Sequence, residues 1–146
     1  MRSPLRAIGY WSDTRIGSPI KNGFVSPKRW VGKYETEEIQ NLVSSYLDSG
    51  SKLVGWLGYS HCRFNCGKPD HEMGSCDLTD GVWVWPEGLS HYVKIHSVVL
   101  PIEFIDYMRQ SEWIALQIDQ KDLQDIEDTY ELDCSLCMDR GEEACS

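Results

Sequence analysis

The chain has 146 residues, of which 41% are hydrophobic, and its formal net charge at pH 7 is −9. A chain of this length suits a single domain, and its acidity argues against binding nucleic-acid phosphates, which attract basic faces. No apolar run reaches the roughly 18 residues of a membrane-spanning helix, so we expect no membrane contact. An acidic surface serves simple solubility or suits a protein partner that is itself basic.

The first 35 residues are rich in proline, glycine and serine, which predicts loop structure with one short strand at residues 7–11. The N-terminal residues carry charges but lack the apolar core of a signal peptide, so we expect a cytoplasmic protein. Thiols stay reduced in that compartment. We therefore interpret the six cysteines as metal ligands and small core residues, and not as disulfides.

A helix is predicted at Glu37–Asp48. Thr36 precedes it as a natural N-cap, and Gly50 can close its end. Its apolar residues recur at the spacing of one buried helical face, at Ile39, Leu42, Val43, Tyr46 and Leu47. This pattern indicates a helix that packs on the core.

Residues 52–59 predict a strand, and a hairpin follows further along the chain. Its arms are residues 76–79 and 82–85, joined by Asp80-Gly81, a dipeptide preferred in two-residue turns. The second arm alternates valine with tryptophan, so both of its faces are apolar. Either this arm is buried on both sides, or Trp83 and Trp85 form a binding surface, since indoles are enriched in binding hot spots.

Two more helices are predicted, at residues 87–96 and 101–108, each next to a proline that suits a first helical turn. Alternating apolar residues predict a last strand at residues 113–118. Residues 119–146 are acidic and poor in apolar residues, which indicates a mobile tail. The whole predicts one α+β domain over residues 1–146, with a small antiparallel sheet and about three helices.

The candidate metal ligands concentrate between the strand at residues 52–59 and the end of the helix at residues 87–96. Cys62 and Cys66 are separated by three residues, and His91 and His96 by four. Two thiolates from a knuckle and two imidazoles from a helix are the ligands of a tetrahedral structural zinc site. We therefore predict bound zinc at Cys62, Cys66, His91 and His96. This zinc knuckle would stabilise the single domain at residues 1–146.

The sequence also contains alternative candidates for metal ligands. Three residues of the same stretch could replace Cys66 as a ligand: His61, His71 and Cys76. Near the C-terminus, Cys134, Cys137 and Cys145 could complete a second metal site or a redox pair, or be incidental.

A longer motif extends from residue 58 to residue 104. It comprises Gly58, Ser60, Cys62, Arg63, Cys66, Gly67, Leu78 to Gly81, Trp85 to Leu89, His91, Tyr92, Val93, His96, Val98, Leu100, Pro101 and Phe104. In these residues the chain resembles a family of uncharacterised bacterial proteins. The family has two residues between its cysteines, whereas this chain has three, and the loop before Leu78 is longer here. The resemblance implies a zinc site and implies no activity.

No HExxH, P-loop, GxSxG or zinc-deaminase signature is present in the sequence. Four good ligands also favour a closed, structural site over a catalytic one. We therefore expect a non-enzymatic, zinc-stabilised protein-binding module. By charge and size alone, it is analogous to an acidic immunity or anti-defence protein that covers a basic surface. The alternative is a small zinc-dependent enzyme of unknown substrate, with three protein ligands and a water on the metal.

Overall fold

The computed structural model describes residues 5–8, 30–55, 62, 64, 66–69, 76–129 and 132–133. This part of the chain has an α+β fold, which confirms the predicted class. Its strands are β1 (Leu5–Ala7), β2 (Ser51–Gly55), β3 (Cys76–Thr79), β4 (Trp83–Pro86) and β5 (Leu132–Asp133). Its helices are α1 (Glu37–Asp48), α2 (Leu89–His96), α3 (Ile102–Gln110) and α4 (Gln120–Thr129).

The five strands form one sheet in the order β2-β3-β4-β1-β5. As predicted, β2, β3 and β4 are antiparallel neighbours. However, β1 runs parallel to both β4 and β5, so the sheet is mixed and not purely antiparallel. The long connection between β1 and β4, which includes α1, β2 and β3, permits this parallel pairing. Two ladder hydrogen bonds hold it, from Arg6 N to Val82 O at 2.9 Å and from Ile8 N to Val84 O at 3.0 Å.

The turn between β3 and β4 is wider than the predicted two-residue turn. Thr79 pairs with Val84, so four residues separate the paired positions. The carboxylate of Asp80 accepts hydrogen bonds from Val82 N at 2.9 Å and from Trp83 N at 2.7 Å. Because the Asp80 side chain accepts these two backbone hydrogen bonds, it stabilises a turn of more than two residues.

Helix α1 has the predicted bounds, and Thr36 Oγ1 accepts a hydrogen bond from Ile39 N at 3.1 Å, as an N-cap does. Its C-terminal end lies directly on the sheet. Trp85 Nε1 donates to Leu47 O at 3.1 Å. A Cβ atom at Gly50 would lie 2.6 Å from Cζ2 of Trp85, so the helix end and the indole can approach this closely only with glycine there.

Two apolar clusters cover the two faces of the sheet. The larger one lies under α1, α2 and α3 and contains Trp83 and Trp85, which are 1% and 0% exposed. The hypothesis that these two tryptophans form a binding surface is therefore wrong: both faces of β4 are covered. On the opposite face, Val84 packs with apolar residues of β1, β2 and α4, namely Leu5, Ala7, Leu53, Leu123 and Ile126.

The segment at residues 113–118 does not form the predicted strand. After a turn, the chain runs to Ile118 without regular structure, with Ile114 and Leu116 69% and 65% exposed and Ala115 buried. The small residue Ala115 faces the core, so Ile114 and Leu116 face solvent, while Ile118 is half-buried against the second cluster. Helix α4 then occupies part of the segment interpreted as an acidic tail, while residues 134–146 lie outside the described residues.

Candidate metal centre

Helix α2 carries both histidines of the predicted site. Leu89, Tyr92 and Val93 bury one side of this helix in the core, and His91 and His96 remain half-buried beside them. The two imidazole rings lie 4.9 Å apart between centroids, at 80° to each other. Because the helix ends at His96, its imidazole can turn towards that of His91 although the two residues are not on one helical face.

The end of α2 is defined by Ser97, which has a left-handed backbone conformation with φ 53°. Val98 N donates to Tyr92 O at 3.1 Å, which holds the chain after Ser97 against the last turns of the helix. The Gln40 amide of α1 reaches across and donates to Val93 O at 2.7 Å and to Ser97 Oγ at 3.2 Å. Helix α1 therefore fixes the turn from which the His96 side chain leaves.

The two cysteines approach α2 from the preceding loop. Cys62 Sγ lies 3.4 Å from His96 Nε2, and Cys66 Sγ lies 3.3 Å from His91 Nε2. All four ligand atoms lie within 4.8 Å of one another. In a tetrahedral site with metal–sulfur bonds of about 2.3 Å and metal–nitrogen bonds of about 2.0 Å, sulfur and nitrogen are about 3.5 Å apart. These four residues are positioned to bind a metal ion.

The four ligands differ in exposure. Cys62 is only 4% exposed and belongs to the main apolar cluster, whereas Cys66 is exposed. Gly67, which follows Cys66, has a φ of 91°, a conformation that glycine adopts without strain. The loop is thus anchored in the core at Cys62 and exposed at Cys66.

Phe64 is a part of the centre that the sequence analysis missed. Its ring stacks on the imidazole of His96, with centroids 4.1 Å apart and planes at 4°. It also lies 5.9 Å from the ring of Tyr92. The available signal was the position of an aromatic residue between the two cysteines. A residue packed against a ligand in this way orients it and shields the metal from water.

Burial affects the protonation of the ligands. It lowers the pKa of His91 to about 4, with further contributions from His96 and Lys68, and it also lowers the pKa of His96. Both imidazoles are therefore neutral near pH 7 and have a lone pair available for a metal. Burial raises the pKa of the Cys62 thiol. A bound cation would reverse this effect, because metal coordination favours the thiolate.

The other candidate ligands are not brought to this cluster by the described structure. Cys76 is half-buried at the start of β3, where Glu87 N donates to its carbonyl oxygen at 2.9 Å and its own amide donates to Glu87 Oε1 at 3.2 Å. The remaining candidates lie outside the described residues: His61, His71, Cys134, Cys137 and Cys145.

Comparison of the chain with protein-family models, with curated proteins and with solved structures finds no match. The resemblance to a bacterial family therefore stays a prediction. Among the described helices, none has the length and apolar character needed to cross a membrane. The geometry of the four-residue cluster is accordingly the basis for a functional proposal.

Proposed function

We propose that the protein is a non-enzymatic protein-binding module whose fold is stabilised by one zinc ion. The observation that carries the proposal is the convergence of two thiols and two imidazoles within 4.8 Å. Zinc is the metal proposed because mixed thiolate and imidazole ligands in tetrahedral geometry suit it, whereas magnesium and calcium prefer oxygen ligands.

A structural role for the zinc is supported by where its ligands come from. His91 and His96 are on α2, and the cysteines are on a loop with no regular structure at Cys62 and Cys66. A metal shared by the four would hold this loop on the helix. Binding energy of this kind contributes directly to folding when the site does not exist in the unfolded chain.

Two thiolates balance the charge of a divalent zinc ion, so the complete site is neutral. A neutral site is compatible with the burial of Cys62 in an apolar cluster, since an unbalanced buried charge is costly. Four protein ligands also leave no position for a substrate or a catalytic water. For these reasons, the proposal gives the zinc a structural role.

The acidic character of the chain supports a basic protein as the partner. With a net charge of −9, the protein attracts a basic surface over distances of about a Debye length and repels an acidic one. An acidic immunity or anti-defence protein would act in this way, by covering a basic surface of its target.

A small zinc-dependent enzyme is the second candidate, and the exposure of Cys66 favours it. If the exposed thiolate leaves the metal, three ligands remain and a water can occupy the fourth position. The two candidates differ in the coordination of the zinc, which is a measurable property.

The test is elemental analysis and zinc X-ray absorption on protein purified without added metal. The proposal expects one zinc per chain, with two sulfur and two nitrogen neighbours. One sulfur, two nitrogens and an oxygen would instead support the enzyme. A metal-free protein that remains folded would overturn the zinc-stabilised module.

A further inference from the structure

The segment from Ile114 to Ile118 contains the two most exposed large apolar residues of the described chain. Ile114 and Leu116 are 69% and 65% exposed, the two highest values among the large apolar residues of the described ranges. Ala115, between them, is buried. Alternation of this kind is typical of an extended backbone, in which every second side chain points to the same side.

The backbone at the centre of this segment is also unpaired. Within the ranges that the structure describes, neither backbone group of Leu116 takes part in a hydrogen bond. The segment is fixed mainly at its end, where Ile118 N donates to Ser51 Oγ at 3.0 Å and the Gln117 amide donates to Ser49 O at 2.9 Å. An extended stretch with free donors and acceptors offers the same hydrogen bonds as an open sheet edge.

A strained turn holds the segment in place. Glu112 and Trp113 both have positive φ values, 55° and 62°, although neither is glycine. Trp113 N donates to Met108 O at 2.8 Å, and Ile114 N donates to Ser111 O at 3.1 Å. Consecutive residues in this conformation are costly and persist only where their surroundings enforce them, as at many binding sites.

The charged residues at the two ends of the segment indicate which kind of partner it can bind. Glu112 and Asp119 are exposed at the two ends of the segment. In an antiparallel pair of two copies, these carboxylates would face each other, which disfavours self-association. A strand that carries lysine or arginine would instead pair with them.

We infer that residues 114–118 are a docking edge for an extended, basic segment of a partner protein, which pairs with it as a β-strand. Main-chain hydrogen bonds at Leu116 supply affinity, and apolar side chains at alternate positions of the partner contact Ile114 and Leu116. The inference rests on the proposed function, because it names the surface through which the protein-binding module acts. The proposed edge takes the place of the binding surface predicted at Trp83 and Trp85, since both tryptophans are buried.

The experiment selects peptides on the full-length protein from a random library of displayed dodecapeptides. The enriched peptides are then synthesised, and their affinities for variants are measured by fluorescence anisotropy. We expect enrichment of lysine or arginine with apolar residues at alternate positions. The key variant is Leu116→Pro, which removes the unpaired N–H without breaking an internal hydrogen bond. It should weaken binding about tenfold or more.

Two further variants serve as controls. Leu116→Ala keeps the N–H and should weaken binding less than Leu116→Pro does. Ile102→Ser removes a similarly exposed apolar residue from α3, 59% exposed against 65% for Leu116, and should leave binding unchanged. Zinc content and melting temperature are measured on every variant, so that a loss of binding through unfolding is recognised.

Three outcomes would overturn the inference: no enrichment, enriched peptides that bind Leu116→Pro as tightly as wild type, or a wild-type dimer that becomes monomeric in this variant. The second outcome would leave the protein-binding module intact with its surface elsewhere. Conversely, peptide binding at Leu116 by a metal-free, folded protein would overturn the zinc proposal and leave the docking edge standing.

Discussion

The hydroxyl of Tyr46 donates a hydrogen bond of 2.6 Å to the buried carboxylate of Asp80. This bond joins the last turns of α1 to the turn between β3 and β4, two elements that are far apart in sequence. Burial is the main reason that the pKa of Asp80 is raised, and the donors around the carboxylate oppose this effect. The carboxylate therefore depends on its donors for stability.

Tyr46→Phe should destabilise the protein by about 2 kcal/mol, the usual cost of losing a hydrogen bond to a buried charged group. The measurement is urea unfolding followed by tryptophan fluorescence. Tyr107→Phe is the matched control. Burial and then the charge of Asp80 raise the pKa of Tyr107, but its hydroxyl makes no hydrogen bond within the described residues. Equal losses in both variants would mean that the bond contributes nothing specific.

Substitution of the proposed ligands should remove the zinc and lower stability together. Cys62→Ser and His96→Ala are expected to lose at least about 3 kcal/mol, because the loop is no longer held on α2. Cys76→Ser is the control, since Cys76 is outside the cluster and should keep one zinc per chain. A Cys62→Ser variant that loses its metal but keeps the wild-type melting temperature would show that the zinc is not structural.

Phe64→Leu should weaken zinc binding about tenfold while the four ligands stay in place, since a residue that packs against a ligand typically affects metal affinity by 10–100-fold. Leucine retains apolar volume but cannot stack on His96. The affinity is measured by competition with a coloured zinc chelator. Phe64→Tyr, which preserves the stacked ring, should bind zinc as the wild type does, and a similar loss there would exclude stacking as the cause.

Gly50→Ala should destabilise the protein by about 1–3 kcal/mol, because a methyl group placed 2.6 Å from Trp85 must displace the indole. The emission of the tryptophans should shift to longer wavelength as Trp85 loosens. Ser45→Ala, at an exposed position of the same helix, should change stability by less than about 0.5 kcal/mol. No difference between the two variants would mean that the helix end adjusts freely.

A chain that stops after Asp133 should keep its zinc and melt within about 3 °C of the full chain. Residues 134–146 contain three acidic side chains and only two large aliphatic ones, Leu136 and Met138, so we do not expect them to contribute much to stability. If the full chain binds two zinc ions and the truncated chain one, Cys134, Cys137 and Cys145 form a second site. Replacing Cys134 and Cys137 by serine in the full chain would then give the same loss.

Local sequence signals predicted the elements whose stability is local. The bounds of α1 follow from its N-cap and one apolar face, and the ligand set follows from two short spacings. Features that depend on distant segments were not predictable in this way. The parallel pairing of β1 and the burial of Trp83 and Trp85 arise from helices that cover β4 from elsewhere in the chain.

The segment at residues 113–118 shows a different limit. The alternation of Ile114, Leu116 and Ile118 suits an extended backbone, but alternation does not specify which face is covered. Here the strained turn at Glu112 and Trp113 places Ala115 inwards. No residue type at these two positions indicates positive φ, because neither is glycine or asparagine.

A metal held by Cys62 and His96, 34 positions apart in sequence, acts as a cross-link. It closes a ring of chain that contains both arms of the β3–β4 hairpin. Unlike a covalent bridge, this ring exists only in the folded chain, because the unfolded chain has no preformed site to keep the metal. Amide hydrogens of β3 and β4 should therefore exchange with solvent by opening of the whole ring. A chelator would then speed their exchange more than that of β1, which lies outside it.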